Sequence, residues 1–325
     1  MWGTIVERRN DSAADGSDGA VHRPVLPLQV LRALGGEDPA ALQGCVVDGT
    51  LGAGGHTALI LQNCPNVSVL GIDQDPQILE HARRTLAPFG RRVRVRRGRL
   101  SQLGEILDRE APARVVGMLF DLGASSLQLD SAARGFSFQA DGPLDMRMDP
   151  ERERTAADIV NTWDEQDLAD LFFYEGGETR SRKIARAIVD SRRRASFQRT
   201  AALADLIERT VGGRGGKLHA ATKVFQALRR AVNEEGDELL AGLAAAERWL
   251  VDGGRLAVIS FHGGEDSEVK RFMVDGAERG AWSLLTKKPI APERSELHVN
   301  RRSRSALLRV AARVRTHASA PGGAP

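Results

Sequence analysis

Short apolar runs alternate with helical stretches along the first third of the chain, and this alternation most limits the folds open to it. CVVDGT (45–50), VSVLGID (67–73), RRVRVRRG (91–98) and VVGMLFDLG (115–123) read as strands. Between them lie a helix from about His56 to Asn63, one opened by Asp75-Pro76 and running to Leu86, and a short one over SQLGEILDRE. Asp75 has the chemistry of an N-cap, and Pro76 suits the first helical position. Strands separated by helices form βαβ units with a parallel sheet. The pattern breaks between about Leu129 and Lys217, where only helical stretches such as EQDLADLFFYEG, RSRKIARAIVDSR and TAALADLIERT occur. It resumes with helices over 219–250, the strand GRLAVISFH, the helix EDSEVKRFM and last strands near 282–288 and 306–314. The expected fold is α/β with an all-helical insertion: residues 21–128 and 218–315 form one domain and 129–217 the inserted one, between tails 1–20 and 316–325 that composition marks as disordered.

Nothing in the composition points to a membrane or a disulfide scaffold. No apolar run reaches eighteen residues, and the N-terminal MWGTIVERRNDSAADGSDGA lacks the apolar centre of a signal peptide. The two cysteines, Cys45 and Cys64, have no metal-ligand spacing. A soluble cytoplasmic protein is the expectation. The net charge is only +3 but the pI is about 9.1, and arginines cluster at 91–99, 179–186, 191–194 and 300–305. Such clusters suit a polyanion better than a lipid surface.

DGTLGAGGH (48–56) follows the first strand with four glycines in nine residues, so the backbone can approach a ligand closely. Asp73 ends the second strand 25 residues after Asp48, near the spacing at which a carboxylate takes both ribose hydroxyls of an adenosine. The glycines do not spell GxGxxG, and no Lys-Ser/Thr follows. Spacing therefore favours S-adenosylmethionine, which carries no phosphate, over NAD. Asp48 either fixes the loop or faces the ligand's ammonium.

HRPVL (22–26), DGTLGAGGHT, GIDQDP (71–76), DLGASSLQLD (121–130), RGFSF and DGPLDMRMD (134–149) continue into HAATKVFQALRRAVN (219–233), ISFHGGED (259–266) and RSRSALLRVA (302–311). In order and spacing they resemble the RsmH (MraW) family of small-subunit rRNA (cytosine-N4)-methyltransferases, over roughly residues 21–315. The resemblance implies a class I (Rossmann-like) methyltransferase fold with an inserted helical, substrate-recognising domain. It implies methyl transfer from S-adenosylmethionine to N4 of a cytidine in helix 44, at the decoding centre, with the assembled small subunit as partner. Donor-binding positions carry over onto Gly54, Gly55, His56, Asp73, Leu100, Asp121 and Gln128, with Leu100 against adenine where relatives often have Phe.

Cytosine N4 is a poor nucleophile because its lone pair is delocalised into the ring, so an acceptor for its hydrogens favours the reactive amine. Asp121 stands where other amino-methyltransferases carry the acid of a D/N-P-P-Y segment, which makes it a candidate acceptor; donor binding alone is its rival role. Ser125 and Ser126 either orient the base or cap a turn. No metal is expected, because a sulfonium methyl is already activated and His22, His56, His219 and His262 have no ligand spacing. Arg302 and Arg304, with Lys287 and Lys288, and RSRKIAR in the insertion are expected to contact rRNA. RRVRVRRGR reads instead as a solvated, charge-protected edge strand, and Phe172, Phe173 and Tyr174 as core. Four departures from the family pattern bear on the target: Leu127, Glu175–Glu178, a more flexible loop at Gly263-Gly264, and Arg301. Those at 263–264 and 301 leave open a methyltransferase for DNA or another RNA; a non-catalytic ribosome-assembly factor that kept the fold is the other alternative, against which the intact donor-binding positions argue.

Overall fold

The computed structural model describes residues 23–212 and 219–314. His22, the expected tails and the expected boundary at 217/218 lie outside the described residues. The strands are β1 Gly44–Asp48, β2 Val67–Asp73, β3 Val93–Arg97, β4 Val115–Asp121, β5 Leu250–Ser260, β6 Trp282–Leu284 and β7 Leu307–Arg313. They form one seven-stranded sheet in the order β3-β2-β1-β4-β5-β7-β6. The strands from β3 to β5 run parallel and β7 is antiparallel to both neighbours. The helices are α1 Pro27–Gly35, α2 Gly55–Asn63, α3 Pro76–Leu86, α4 Leu103–Glu110, α5 Ser126–Asp130, α6 Ala156–Thr162, α7 Glu165–Tyr174, α8 Ser181–Arg192, α9 Thr200–Val211, α10 Thr222–Asn233, α11 Glu235–Trp249, α12 Gly263–Glu278 and α13 Arg294–Val299.

Successive strand residues point to opposite faces, and each face has its own apolar layer. Val46, Val69, Leu119 and Ile259 pack with α1, α2 and α3 residues such as Leu31, Ile60 and Leu79. Val47, Leu70, Met118 and Val258 pack on the other side with Ile106 of α4, Leu243 of α11 and Met273 of α12. Both faces are covered, as a parallel sheet requires. The strand order places β1 beside β4, with β2 outside β1. The C-terminal ends of these three strands therefore open on one side, where ligands of open α/β sheets bind.

A third apolar cluster belongs to the helices between β4 and β5. Ile159, Leu168, Phe172, Ile184, Ile188, Leu203 and Ile207 form its centre, and Val224, Phe225, Leu228 and Val232 of α10 share it. Helix α10 thus turns its apolar face to the helical cluster and leaves Arg229 and Asn233 for the sheet side. Asn233 is wholly buried. It donates to the carbonyls of Met146 and Arg229 and accepts from the Met148 amide, each at 2.8 Å. These bonds hold Met146 at φ 64, a left-handed conformation that its side chain disfavours.

Three expectations need correction. Arg92 is not a solvated edge residue: it donates to the carbonyls of Leu61 and Cys64 at the end of α2 and of Val67, which opens β2. Arg94 and Arg96 pair with Glu110. Of the aromatics at the end of α7, only Phe172 is core; Phe173 and Tyr174 are 48% and 75% exposed, because the buried stripe of α7 runs through Leu168, Leu171 and Phe172. Gly263-Gly264 is no loop. It starts α12, whose N-cap His262 accepts from the Glu265 amide.

Asn233→Ala is expected to lower stability by about 2–4 kcal/mol, because it strands buried backbone groups around Met146 and Met148. Urea unfolding monitored by fluorescence checks this, and a loss below 1 kcal/mol would contradict it.

Candidate functional site

The β1–α2 turn is shaped by contacts that its sequence makes possible. Asp48 is 1% exposed; it accepts from the Thr57 hydroxyl at 2.7 Å and the Thr50 amide at 3.4 Å. It therefore fixes the loop and does not line the cavity. Burial pushes its carboxyl up to about 6. Gly54 takes φ 86 as N-cap of α2, which spares the Cβ penalty of that region. The Gly52 amide donates to Asp73 Oδ2 at 2.9 Å, and the Asp75 amide to Asp73 Oδ1 at 3.0 Å. The end of β2 is thus pinned to the glycine loop, with Asp73, also raised to about 6 by burial, facing the opening.

That opening is a cavity of about 370 Å³ at the C-terminal ends of β1, β2 and β4. Its wall includes Gly55, His56, Asp73, Leu100, Asp121 and Gln128, and on the rim Ser125, Ser126 and Arg302. Gly54 stands one residue behind the wall, against Leu86. Arg304 is exposed and lies away from the cavity. The structure therefore brings nine of the eleven residues singled out above to one cavity wall.

Several are engaged with protein partners. Ser125 caps α5 by accepting from the Gln128 amide, while Gln128 Oε1 accepts from the Ser125 amide. Gln128 Nε2 donates to Asp75 Oδ2 at 2.9 Å, so both ends of this side chain are used. Arg302 pairs with Asp130 at 3.1 Å and reaches the Ser126 carbonyl. Its charge is met within the protein.

Asp121 and His56 differ. The Asp121 amide donates to the Thr50 hydroxyl, but its carboxyl has only His56 Nε2 nearby, at 3.7 Å. Asp121 Oδ1 and both ring nitrogens of His56 have no hydrogen-bond partner. Burial lowers His56 to about 4, leaving the ring neutral. Burial raises Asp121 to about 8, with the charges of Asp48 and Glu265 adding to the effect. Buried polar atoms rarely stay unpaired in a finished structure. The Asp121 side chain is 27% exposed and both residues line the cavity, so a ligand there meets this pair.

The far wall comes from motifs to which sequence reasoning assigned no role. Met148, from DGPLDMRMD, stands beside Gln74. Arg229 and Asn233 come from α10, Glu235 and Glu238 from α11, and Glu265 from α12. Glu235 holds Arg229 by paired bonds of 2.7 and 2.8 Å. Glu238 accepts from the Ser101 amide and from Arg152. The quoted motifs themselves were the available signal; nothing in their spacing says which polar residue turns inward. Among the described residues, no group of three or more His, Cys, Asp or Glu could hold a metal ion, and no helix is long and apolar enough to cross a membrane.

The chain is 46% identical over 319 residues to the ribosomal RNA small subunit methyltransferase H of Methylorubrum extorquens, covering 93% of this chain and 88% of that one. It is 45% identical over 294 residues to the protein of the same name from a Cyanothece species, covering 90% and 95%. Among solved structures, a Streptococcus mutans protein described as a putative methyltransferase in complex with SAH aligns at TM-score 0.41 and 12% identity, over 89% of this chain and 98% of that one. The model of the MraW methylase family matches residues 19–314. With that match, a sheet of this order and a glycine-loop cavity at its strand ends, the chain belongs to the MraW methylase family.

Proposed function

We propose that this chain transfers the methyl group of S-adenosylmethionine to N4 of a cytidine in helix 44 of small-subunit rRNA, acting on the assembled subunit in the cytoplasm. The observation that carries this reading is the cavity at the glycine loop, with an unpartnered Asp121–His56 pair in its wall. The names of the relatives support small-subunit rRNA as the substrate class. The cytosine-N4 target is what the family resemblance implies, and an acceptor such as Asp121 is compatible with an exocyclic amine as the methyl acceptor.

The residues fit the donor. A cavity of about 370 Å³ falls within the range of about 300–1,000 Å³ usual for small-molecule sites. Asp73 keeps lone pairs for the ribose hydroxyls after accepting from Gly52 and Asp75. Leu100 offers an apolar edge to adenine, and Gly54 and Gly55 let the backbone come close. Gln128 supports the site from behind by holding Asp75, the N-cap of α3. When bound, the donor supplies an activated methyl. The protein must then bring N4 into line and accept from its hydrogens, and the partly exposed Asp121 carboxyl on the cavity wall is placed for that.

The flipped or unpaired base that such a reaction needs costs a few kcal/mol to present, and phosphate contacts offset part of that. Arg182, Lys183 and Arg186 are exposed along α8, as are Lys287, Lys288 and Arg304 near the last strands. These are the proposed RNA-facing cations.

Transfer of labelled methyl to small ribosomal subunits, naked rRNA and DNA, with digestion and mass spectrometry, tests the target. N4-methylcytidine at the decoding centre, from subunits alone, is expected; label on DNA would overturn the substrate, and donor binding without any transfer would favour an assembly factor. Asp73→Ala is expected to weaken donor binding about tenfold or more, the loss of one charge-assisted hydrogen bond or two; calorimetry with unchanged affinity would remove its ribose role. Asp121→Ala is expected to slow transfer by about two to three orders of magnitude. Single-turnover rates near normal would exclude it from the chemistry.

A further inference from the structure

The carboxylates around the cavity are not alike. Asp73 takes two amides, Glu235 holds Arg229, Glu238 holds Arg152 and the Ser101 amide, and Glu265 takes the Phe261 amide beside His262. Among the described residues, Asp121 has no donor to its side chain and no cation within ion-pair distance; the ring of His56 lies 3.7 Å away. The charges that act on it are anionic, Asp48 on β1 and Glu265 on α12, beside the neutral His56 on α2; the cations of the cavity wall, Arg23, Arg99, Arg229 and Arg302, make no ion pair with it. Arg229, beside Gly123, is already paired with Glu235 and stands 3.7 Å from Glu265. A carboxyl in such a place holds its proton until a cation enters.

We propose that Asp121 is the counter-charge by which this enzyme distinguishes the cationic methyl donor from its neutral thioether product, and the acceptor of the proton that N4 sheds. The inference rests on the methyl-transfer reading above. On donor binding, Asp121 loses its proton to solvent and faces the positive charge as a carboxylate. In the transfer, the N4 lone pair forms the N–C bond, and the electron pair of the breaking C–S bond returns to sulfur. The positive charge moves to N4. Asp121, no longer opposed by a cation on sulfur, takes one of the two N4 protons. The methylated amine, the thioether and the carboxyl group are then all neutral, and the weakened hold on the product favours release.

S-adenosylmethionine and S-adenosylhomocysteine share the ammonium, the carboxylate and the ribose and differ by the methyl and its charge. The titrations of Asp48 and Asp73 therefore act on both ligands alike, and the ratio of their affinities isolates Asp121. Calorimetry from pH 6 to pH 8.5 measures it. The preference for S-adenosylmethionine is expected to rise about tenfold per pH unit below pH 8 and then level off, the behaviour of one proton released on binding. At pH 7, titrations in two buffers of unlike ionisation enthalpy are expected to show about one proton released with S-adenosylmethionine and none with S-adenosylhomocysteine. Asp121→Asn, neutral and of the same shape, is expected to flatten the ratio while melting like the wild type at pH 6. A flat ratio in the wild type, or equal proton release with both ligands, would overturn the proposal and assign Asp121 to the shared ammonium. Failure of either ligand to bind at any pH would instead sink the methyl-transfer reading on which the proposal rests.

Discussion

One buried carboxylate joins the parts of this molecule. Asp75 is wholly inaccessible. Its Oδ1 caps α3 through the amides of Gln77 and Ile78. Its Oδ2 takes the Gln128 amide at the start of the helical segment and the Arg134 guanidinium at 2.7 Å. Arg134 in turn donates to the carbonyls of Arg147 and Met148. The helix that follows β2, the exit from β4 and the strap carrying Met148 are therefore set by one charge. Such a node is conditional: loss of one partner of a buried ion pair typically costs about 3–5 kcal/mol, because the other charge stays buried. Asp73, two residues away, accepts only the Gly52 and Asp75 amides, which leaves lone pairs on its carboxyl for a ligand.

Helix α10 plays the matching part on the other wall. Its apolar face belongs to the helical cluster and its polar face to the cavity, with Asn233 pinning the Met146–Met148 strap. Arg230 on the same helix reaches Glu175 at the end of α7 and Glu268 on α12. The helical cluster and the sheet thus share rigid connections rather than a loose hinge. A site held this way keeps its polar groups in place before ligands arrive, which is what electrostatic catalysis requires.

Much of this was legible in the chain. Alternating apolar runs named the strands, and Asp75-Pro76 marked the start of α3 because a short acceptor side chain and a proline without an amide hydrogen suit a helix N-terminus. Glycine spacing and Asp73 pointed to an adenosine-bearing ligand. The rest was hidden for stated reasons. Arg92 looks like any edge cation until the end of α2 is seen to lie beside it with open carbonyls. Phe173 and Tyr174 follow a buried residue in a helix, and only the packing of α7 shows which way each faces. Gly263-Gly264 resembles a loop, yet His262 supplies a cap that starts a helix there.

The sequence by itself determined the class of fold, the donor-type loop and the methylase family, because local propensity, period-two burial and motif order are written in neighbouring residues. Tertiary structure alone decided which side chains have work left to do. Gln128 and Arg302 find partners in Asp75 and Asp130, while Asp121 Oδ1 and the ring nitrogens of His56 find none among the described residues. Whether a polar group is satisfied depends on residues tens to hundreds of positions away, and burial turns that difference into chemistry by raising the cost of an unpaired charge.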